Sequence, residues 1–247
     1  MKLSVLWCGL VLWLVSMGAV NAQSFTIGVE QSDYYPISAY RNGQYQGYAR
    51  ELLDAFAKKH GYEFKYSALP IKRLYADFLT RDELDFKYPD NPHWQPDMKE
   101  GINIAYSQSL VDSIEGGMVL AERVGTPLSE YKALGTIRGF TPWPYQDALG
   151  GGQLRLEESD DLPTLVQKVL LKRVDVMYIN TSIANYHLAE DLKKPGALKF
   201  DPALPHAPVQ YLMSSRKHPK VIEQFNAFLS EEASLVEQLR RKHKLTD

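Results

Sequence analysis

The sequence predicts an α/β fold, and three observations carry the prediction. Helical and strand signals alternate from Phe25 onward, as they do when helices pack on a sheet. Apolar residues in 49–57 and 162–170 recur at the i, i+3, i+4, i+7 spacing of a buried helix face. Between such stretches lie short runs suited to strands, at 25–29, 62–66, 84–88, 117–120, 134–137 and 174–179.

The opening strand, 25–29, runs into the tyrosine-rich loop Asp33-Tyr34-Tyr35-Pro36-Ile37-Ser38-Ala39-Tyr40 and the turn Arg41-Asn42-Gly43. Gly47-Tyr48 then leads into a helix striped by Ala49, Leu52, Leu53, Phe56 and Ala57 and closed at His60-Gly61, with glycine at the expected C-terminal position. A strand, an aromatic loop and a helix in that order place side chains at the carboxyl end of a strand, where open α/β sheets bind small molecules. Tyr62-Glu63-Phe64-Lys65-Tyr66 alternates with period two, as a strand should. Pro70 opens a second helix through about Leu79, since proline suits the first helical turn. A strand follows from Leu84 to Tyr88, ended by Pro89, and another is expected over 102–106.

The second set begins with the strands at 117–120 and 134–137. Gly150-Gly151-Gly152 reads as a surface loop. It lacks the lysine and hydroxyl that complete a phosphate loop. Leu162, Leu165, Val166, Val169 and Leu170 stripe a helix, 174–179 is an apolar strand, and 181–188 a helix. The proline-rich 202–208 is expected to link the two sets, followed by a strand at 209–213 and helices at about 219–229 and 231–242.

Composition excludes several classes of function. The first 22 residues carry one early charge, Lys2, an apolar run over 5–15 and the small-x-small step Val20-Asn21-Ala22. That is a cleavable secretory signal, so a periplasmic protein starting at Gln23 is expected. Cys8 is the single cysteine and lies inside this segment, which rules out a disulfide framework, a zinc-cysteine site and a cysteine nucleophile in the mature chain. The net charge of −2 becomes about −3 without Lys2, and there is no basic run, so nucleic acid is not an expected partner. The six histidines form no HExxH-type pair and no GxSxG elbow is present, so neither a metal site nor a serine hydrolase is expected. No cofactor is expected.

Taken in order, these segments resemble the family 3 extracellular solute-binding proteins, the polar-amino-acid receptors of bacterial ABC transporters. The resemblance spans nearly all of the mature chain. It rests on the Tyr-Tyr-Pro loop, Gly47-Tyr48 before Glu51-Leu52-Leu53-Asp54-Ala55-Phe56, Leu84-Asp85-Phe86, the Tyr106-Ser107 step, Arg173-Val174-Asp175-Val176-Met177, and Glu223-Gln224-Phe225-Asn226. It implies a type 2 periplasmic-binding-protein fold: two α/β lobes joined by two crossovers, with the ligand in the cleft between them. One lobe would hold 23–109 plus 209–247 and the other 110–208. It further implies a monomer that closes on a small polar ligand, serves an ABC permease or a membrane sensor, and does not catalyse a reaction. A few periplasmic dehydratases resemble the same fold; catalysis would need an acid or base in the cleft, with Asp90 the candidate.

The residues expected to hold the ligand follow from position. Tyr34 and Tyr35 offer aromatic faces at the first strand end. Arg73, just inside a helix start, can present a planar fork to a carboxylate. Tyr88 and Asp90 sit at a strand end, with Trp94 within reach; alternation points Phe86 and Tyr88 to one face and Lys87 to the other. In the second lobe Phe140, Thr141 and Trp143 follow the Gly139 turn, and Asn180 ends a strand. Two departures from the family stand out. The resemblance puts an ammonium-binding aspartate where Asn180 stands, and a carboxylate-binding arginine in a stretch, 86–105, that contains none. Lys99 or Arg73 would have to replace that arginine.

Overall fold

The computed structural model describes residues 22–245; the expected secretory segment therefore lies outside the described residues except for Ala22. The order is β1 (Gln23–Glu30), β2 (Asp33–Tyr34), β3 (Ser38–Arg41), β4 (Gln44–Gln46), α1 (Tyr48–His60), β5 (Tyr62–Leu69), α2 (Ile71–Leu79), β6 (Phe86–Asp90), α3 (Pro96–Lys99), β7 (Ala105–Tyr106), β8 (Val111–Leu120) and β9 (Ala133–Ile137). There follow α4 (Gln146–Gly150), β10 (Arg155–Ser159), α5 (Leu162–Leu170), β11 (Val176–Asn180), α6 (Thr181–Glu190), β12 (Leu198–Phe200), β13 (His206–Ser215), α7 (Pro219–Glu231) and α8 (Ala233–Lys242).

One mixed sheet runs β10-β9-β11-β8-β13-β6-β1-β5, with β12 on β8 and β7 on β13. In one half, β1 lies parallel to both β5 and β6. In the other, β9 lies parallel to β10 and β11. The chain leaves the first half along β8 and returns along β13, and these two ten-residue strands pair antiparallel from Tyr211↔Val111 to His206↔Gly116. They are the two crossovers of a two-lobed fold.

Register fixes where the site forms. β1 and β5 pair through to Glu30↔Leu69, so their carboxyl ends finish together. Helix α2 starts directly after that edge, at Ile71. Helix α1 buries Ala49, Leu52, Leu53, Phe56 and Ala57, the stripe read from sequence, and Gly61 caps it at φ 68°. Phe56 meets Phe225 and Phe228 of α7 edge-on, so the C-terminal helices pack back onto the first half. Asp161 caps α5 by accepting from the Thr164 N–H.

Five expectations change. The strand expected to end at Pro89 starts at Phe86 and runs through Pro89 to Asp90. The tyrosine loop is a small antiparallel sheet, β2-β3-β4. Its hairpin turns at Asn42 (φ 53°) and Gly43 (φ 78°), the positive-φ pair that suits right-twisted strands. Only Ala105 and Tyr106 of 102–106 form ladder pairs, with Ser215 and Ser214; Ile102 and Ile104 instead pack on the α2 core. The strand expected at 117–120 starts six residues earlier, at Val111, and β10 was not foreseen. The 202–208 link is strand from His206; Pro208 is tolerated where β13 has β8 for a neighbour but not yet β6.

Candidate functional site

The carboxyl ends of β1 and β6, the start of α2 and the two crossover strands converge on one cavity. From the first half come Glu30, the last residue of β1, Tyr34 and Ser38 of the small sheet, Ile71 and Tyr75 of α2, Pro89 and Trp94. Glu115 of β8 and Tyr211 of β13 form the back, and Gly139, Phe140 and Thr141 close it from the turn after β9.

The two halves touch around this cavity. The Gln95 side-chain amide donates to the Gly139 carbonyl at 2.9 Å, and its backbone N–H donates to Thr141 Oγ1 at 3.2 Å. Tyr34 meets Phe140 edge-on at 5.5 Å, and His93 stacks on Trp143 at 4.9 Å. Gly139, at φ 89°, allows the closest approach, because a Cβ there would lie 3.1 Å from Ile71 Cβ. The molecule is thus described with its cleft closed.

The electrostatics of the cavity are acidic. Glu115 accepts from the Tyr211 hydroxyl at 3.2 Å and the Tyr178 hydroxyl at 3.0 Å. Burial still pushes its carboxyl up to about 7, outweighing those two hydrogen bonds, and the nearby Glu30 adds to the rise. Burial also pushes Glu30 up to about 7, against the pull of Lys87. Its one side-chain hydrogen bond among the described residues is a long one from Ser32, 3.4 Å. Lys87 and Lys99 lie close by, but Asp90 holds both, at 3.3 and 2.7 Å.

Three of the nine residues expected to hold the ligand line the cavity, Tyr34, Phe140 and Thr141, and so does Trp94, which was expected within reach of them. The other six do not. Tyr35 is half-buried on the far side of the small sheet, against Tyr186 and His243, with the Arg41 guanidinium 4.9 Å from its ring. Arg73 points to solvent, 61% exposed, and reaches back to Asp77 at 3.3 Å. Tyr88 is fully buried in the main core. Asp90 is also fully buried, and its oxygens are taken by Lys87, Lys99, Tyr75, Ser214 and the Asn91 N–H. Trp143 covers His93 beside the mouth. Asn180 caps α6 through the Ile183 N–H and donates to Ser113 and to the Tyr211 hydroxyl, one residue behind the cavity wall. Lys99, weighed as a carboxylate partner, is spent on Asp90 and the Asn91 carbonyl.

The Gly139 turn also holds its own donors. The Gly139 N–H donates to Glu158 and the Phe140 N–H to the Ile137 carbonyl. Glu30, Tyr75, Glu115 and Tyr211 were missed by sequence reasoning. The one available signal was position: Glu30 directly ends the first strand, at the edge where ligands bind. Arg73→Ala should accordingly leave ligand affinity unchanged and cost about 0.5 kcal/mol or less, because Arg81 still pairs with Asp77 at 2.6 Å. A titration of wild type and variant with the same ligand checks this, and a large loss of affinity would return Arg73 to the site.

With this geometry the molecule has the two-lobed periplasmic-binding-protein fold. No family model matches the sequence, and no curated protein matches it. Solved structures do match. An arginine transport-system periplasmic binding protein from Legionella pneumophila superposes with TM-score 0.72 at 16% identity, covering 90% of this chain and 100% of that one. The arginine-, lysine-, histidine-binding protein ArtJ from Geobacillus stearothermophilus gives 0.72 at 15% identity, over 91% and 96%. An ancestral amino-acid-binding protein, a precursor of cyclohexadienyl dehydratase, gives 0.68 at 18% identity, over 89% and 94%.

Proposed function

We propose that this chain is a periplasmic solute-binding protein that closes its two lobes on a small polar molecule and delivers it to an ABC transporter permease. The observation that carries the reading is the cavity itself: both lobes supply its walls, so a ligand there contacts both and favours the closed state. The lobe division falls near 110 and 208, where β8 and β13 cross. Solved relatives of this fold that bind amino acids support the reading. Secretion rests on the segment before Gln23, and the protein acts as a monomer. Delivery of occupancy to a membrane sensor would use the same closure.

A thermal-shift screen of amino acids, amines, sugars and small carboxylates tests the reading. A true ligand at 100 times its dissociation constant should stabilise the protein by ~2.7 kcal/mol. A panel without any stabilising compound would sink the proposal.

A catalytic reading has two points in its favour. Glu30 and Glu115 titrate near 7, which suits general acid–base work, and a dehydratase precursor shares the fold. Recovery of bound ligand unchanged after prolonged incubation, followed by NMR, supports binding alone; its conversion would establish an enzyme.

A further inference from the structure

Resting on the solute-binding reading, we infer that the cavity takes an organic cation, a small amine without a neighbouring carboxylate, held by Glu30, Glu115 and the Tyr34 hydroxyl.

The cavity lining carries two carboxylates and no cationic side chain. Glu30 and Glu115 are 8% and 3% exposed, line the same space, and have no ion-pair partner among the described residues. Tyr34, 5% exposed, brings a buried hydroxyl with no hydrogen-bond partner. An ammonium group supplies the donors that such a set lacks. The walls fit the same guest: Tyr34, Trp94, Phe140 and Tyr211 surround the acceptors with aromatic faces, and aromatic rings attract desolvated cations.

The cationic side chains near the cavity that could hold a carboxylate are engaged elsewhere, as are two N–H groups of its turn. Arg73 lies in solvent with Asp77, Lys87 and Lys99 are bound to Asp90, and the Gly139 and Phe140 N–H groups bond within their own lobe. Charge counting agrees. Once both glutamates are ionised, Glu30, Glu115 and Asp90 against Lys87 and Lys99 are three buried carboxylates against two ammonium groups, so one negative charge is unmatched. A cation matches it. An amino acid would add its own carboxylate to a site that already repels one.

Pairs of compounds that differ by one carboxylate test this: histamine with L-histidine, tyramine with L-tyrosine, and agmatine with L-arginine, titrated calorimetrically at pH 8. At least one amine should bind ten-fold or more tightly than its parent amino acid. Glu115→Gln should weaken that amine ten-fold or more, while the variant melts no lower than wild type in the absence of ligand. Glu30→Gln gives the same test from the other lobe. Affinity for the amine should also strengthen from pH 6 to pH 8 as the carboxylates ionise. A parent amino acid that outbinds its amine, or amine affinity unmoved in both variants, overturns the inference. Binding by a carboxylate or a sugar in the wider screen, with none by any amine, overturns the cation and leaves solute capture standing. If no compound in either set binds, both readings fall.

Discussion

Between pH 5 and pH 8 the ligand-free protein should lose stability, on the order of 3 kcal/mol for each of Glu30 and Glu115. Both carboxyls rise from an ordinary 4.5 to about 7 in the folded state. Through that window the folded protein keeps protons that the unfolded chain has released. The cost of folding with these groups is therefore absent below 4.5, grows as pH rises, and is complete above 7. Glu30 sees Lys87 and Asp90 of β6 and the Ser32 hydroxyl. Glu115 sees Tyr178 of β11, Tyr211 of β13 and Glu30. One carboxylate alone should lower Tm by roughly 6–12 °C for a chain of this size. On the acid side Asp90 and Asp85, both held below their ordinary value, pull the other way and lose their contribution as pH falls. Stability should thus peak near pH ~4.5. Melting curves from pH 4 to 8.5 measure this, with the Glu30→Gln/Glu115→Gln double variant as control. A wild-type Tm that holds level to pH 8, or a variant that falls as steeply, would assign no such cost to these two groups. An organic cation should flatten the fall, because it restores the charge balance that ionisation removes.

The fold was legible in the sequence where one face is buried and the other is not. Helix α1 and helix α5 show their stripes because their outer faces are polar. Strand β8 hid its length for the opposite reason. Asp112, Ser113, Glu115, Gly116 and Gly117 look like a solvated segment, yet β13 and β11 cover the strand on both edges and α6 packs on it. The cavity was legible only in part. Tyr34, Phe140 and Thr141, named from sequence, line it because they follow strand ends closely. The alternation in β6 was also read correctly, since Phe86 and Tyr88 do share a face. That face is the core, however, and it is Lys87 that turns toward Tyr75 of the cavity wall, its ammonium 4.3 Å from the ring. Period-two patterning states which residues point together. It does not state which side holds the ligand, and only the helix that covers each side decides that. Arg73 shows the same limit on a helix: Ile71, Leu74, Tyr75 and Phe78 face inward, which turns position 73 outward.

Asp90→Asn should be the most destabilising conservative change in the first lobe, costing about 3–5 kcal/mol. Asp90 is fully buried and bridges two ammonium groups, fully buried Lys87 at 3.3 Å and nearly buried Lys99 at 2.7 Å. Burial by itself would raise its carboxyl; the two lysines outweigh burial and hold it below the ordinary range. Asparagine keeps the shape but only one of the two acceptor oxygens, and it removes the charge that compensates two buried cations directly. Lys99 is already pushed below its ordinary value by burial, with Asp90 opposing that shift, so without the carboxylate it should lose its proton rather than remain charged. Denaturant unfolding gives the test: the midpoint should drop with an unchanged slope, since the exposed surface is the same. The outcome also separates two roles for this residue. A ligand-holding Asp90 predicts a variant of native stability that has lost its ligand, whereas a bridging Asp90 predicts a weakened fold that still binds when ligand is added at a temperature below its melting point. Tyr75 links the two possibilities, because its hydroxyl donates to Asp90 while its ring lines the cavity. The ligand therefore meets Asp90 through a wall that Asp90 positions, and the two lysines that Asp90 bridges are held on it rather than on Glu30 or Glu115.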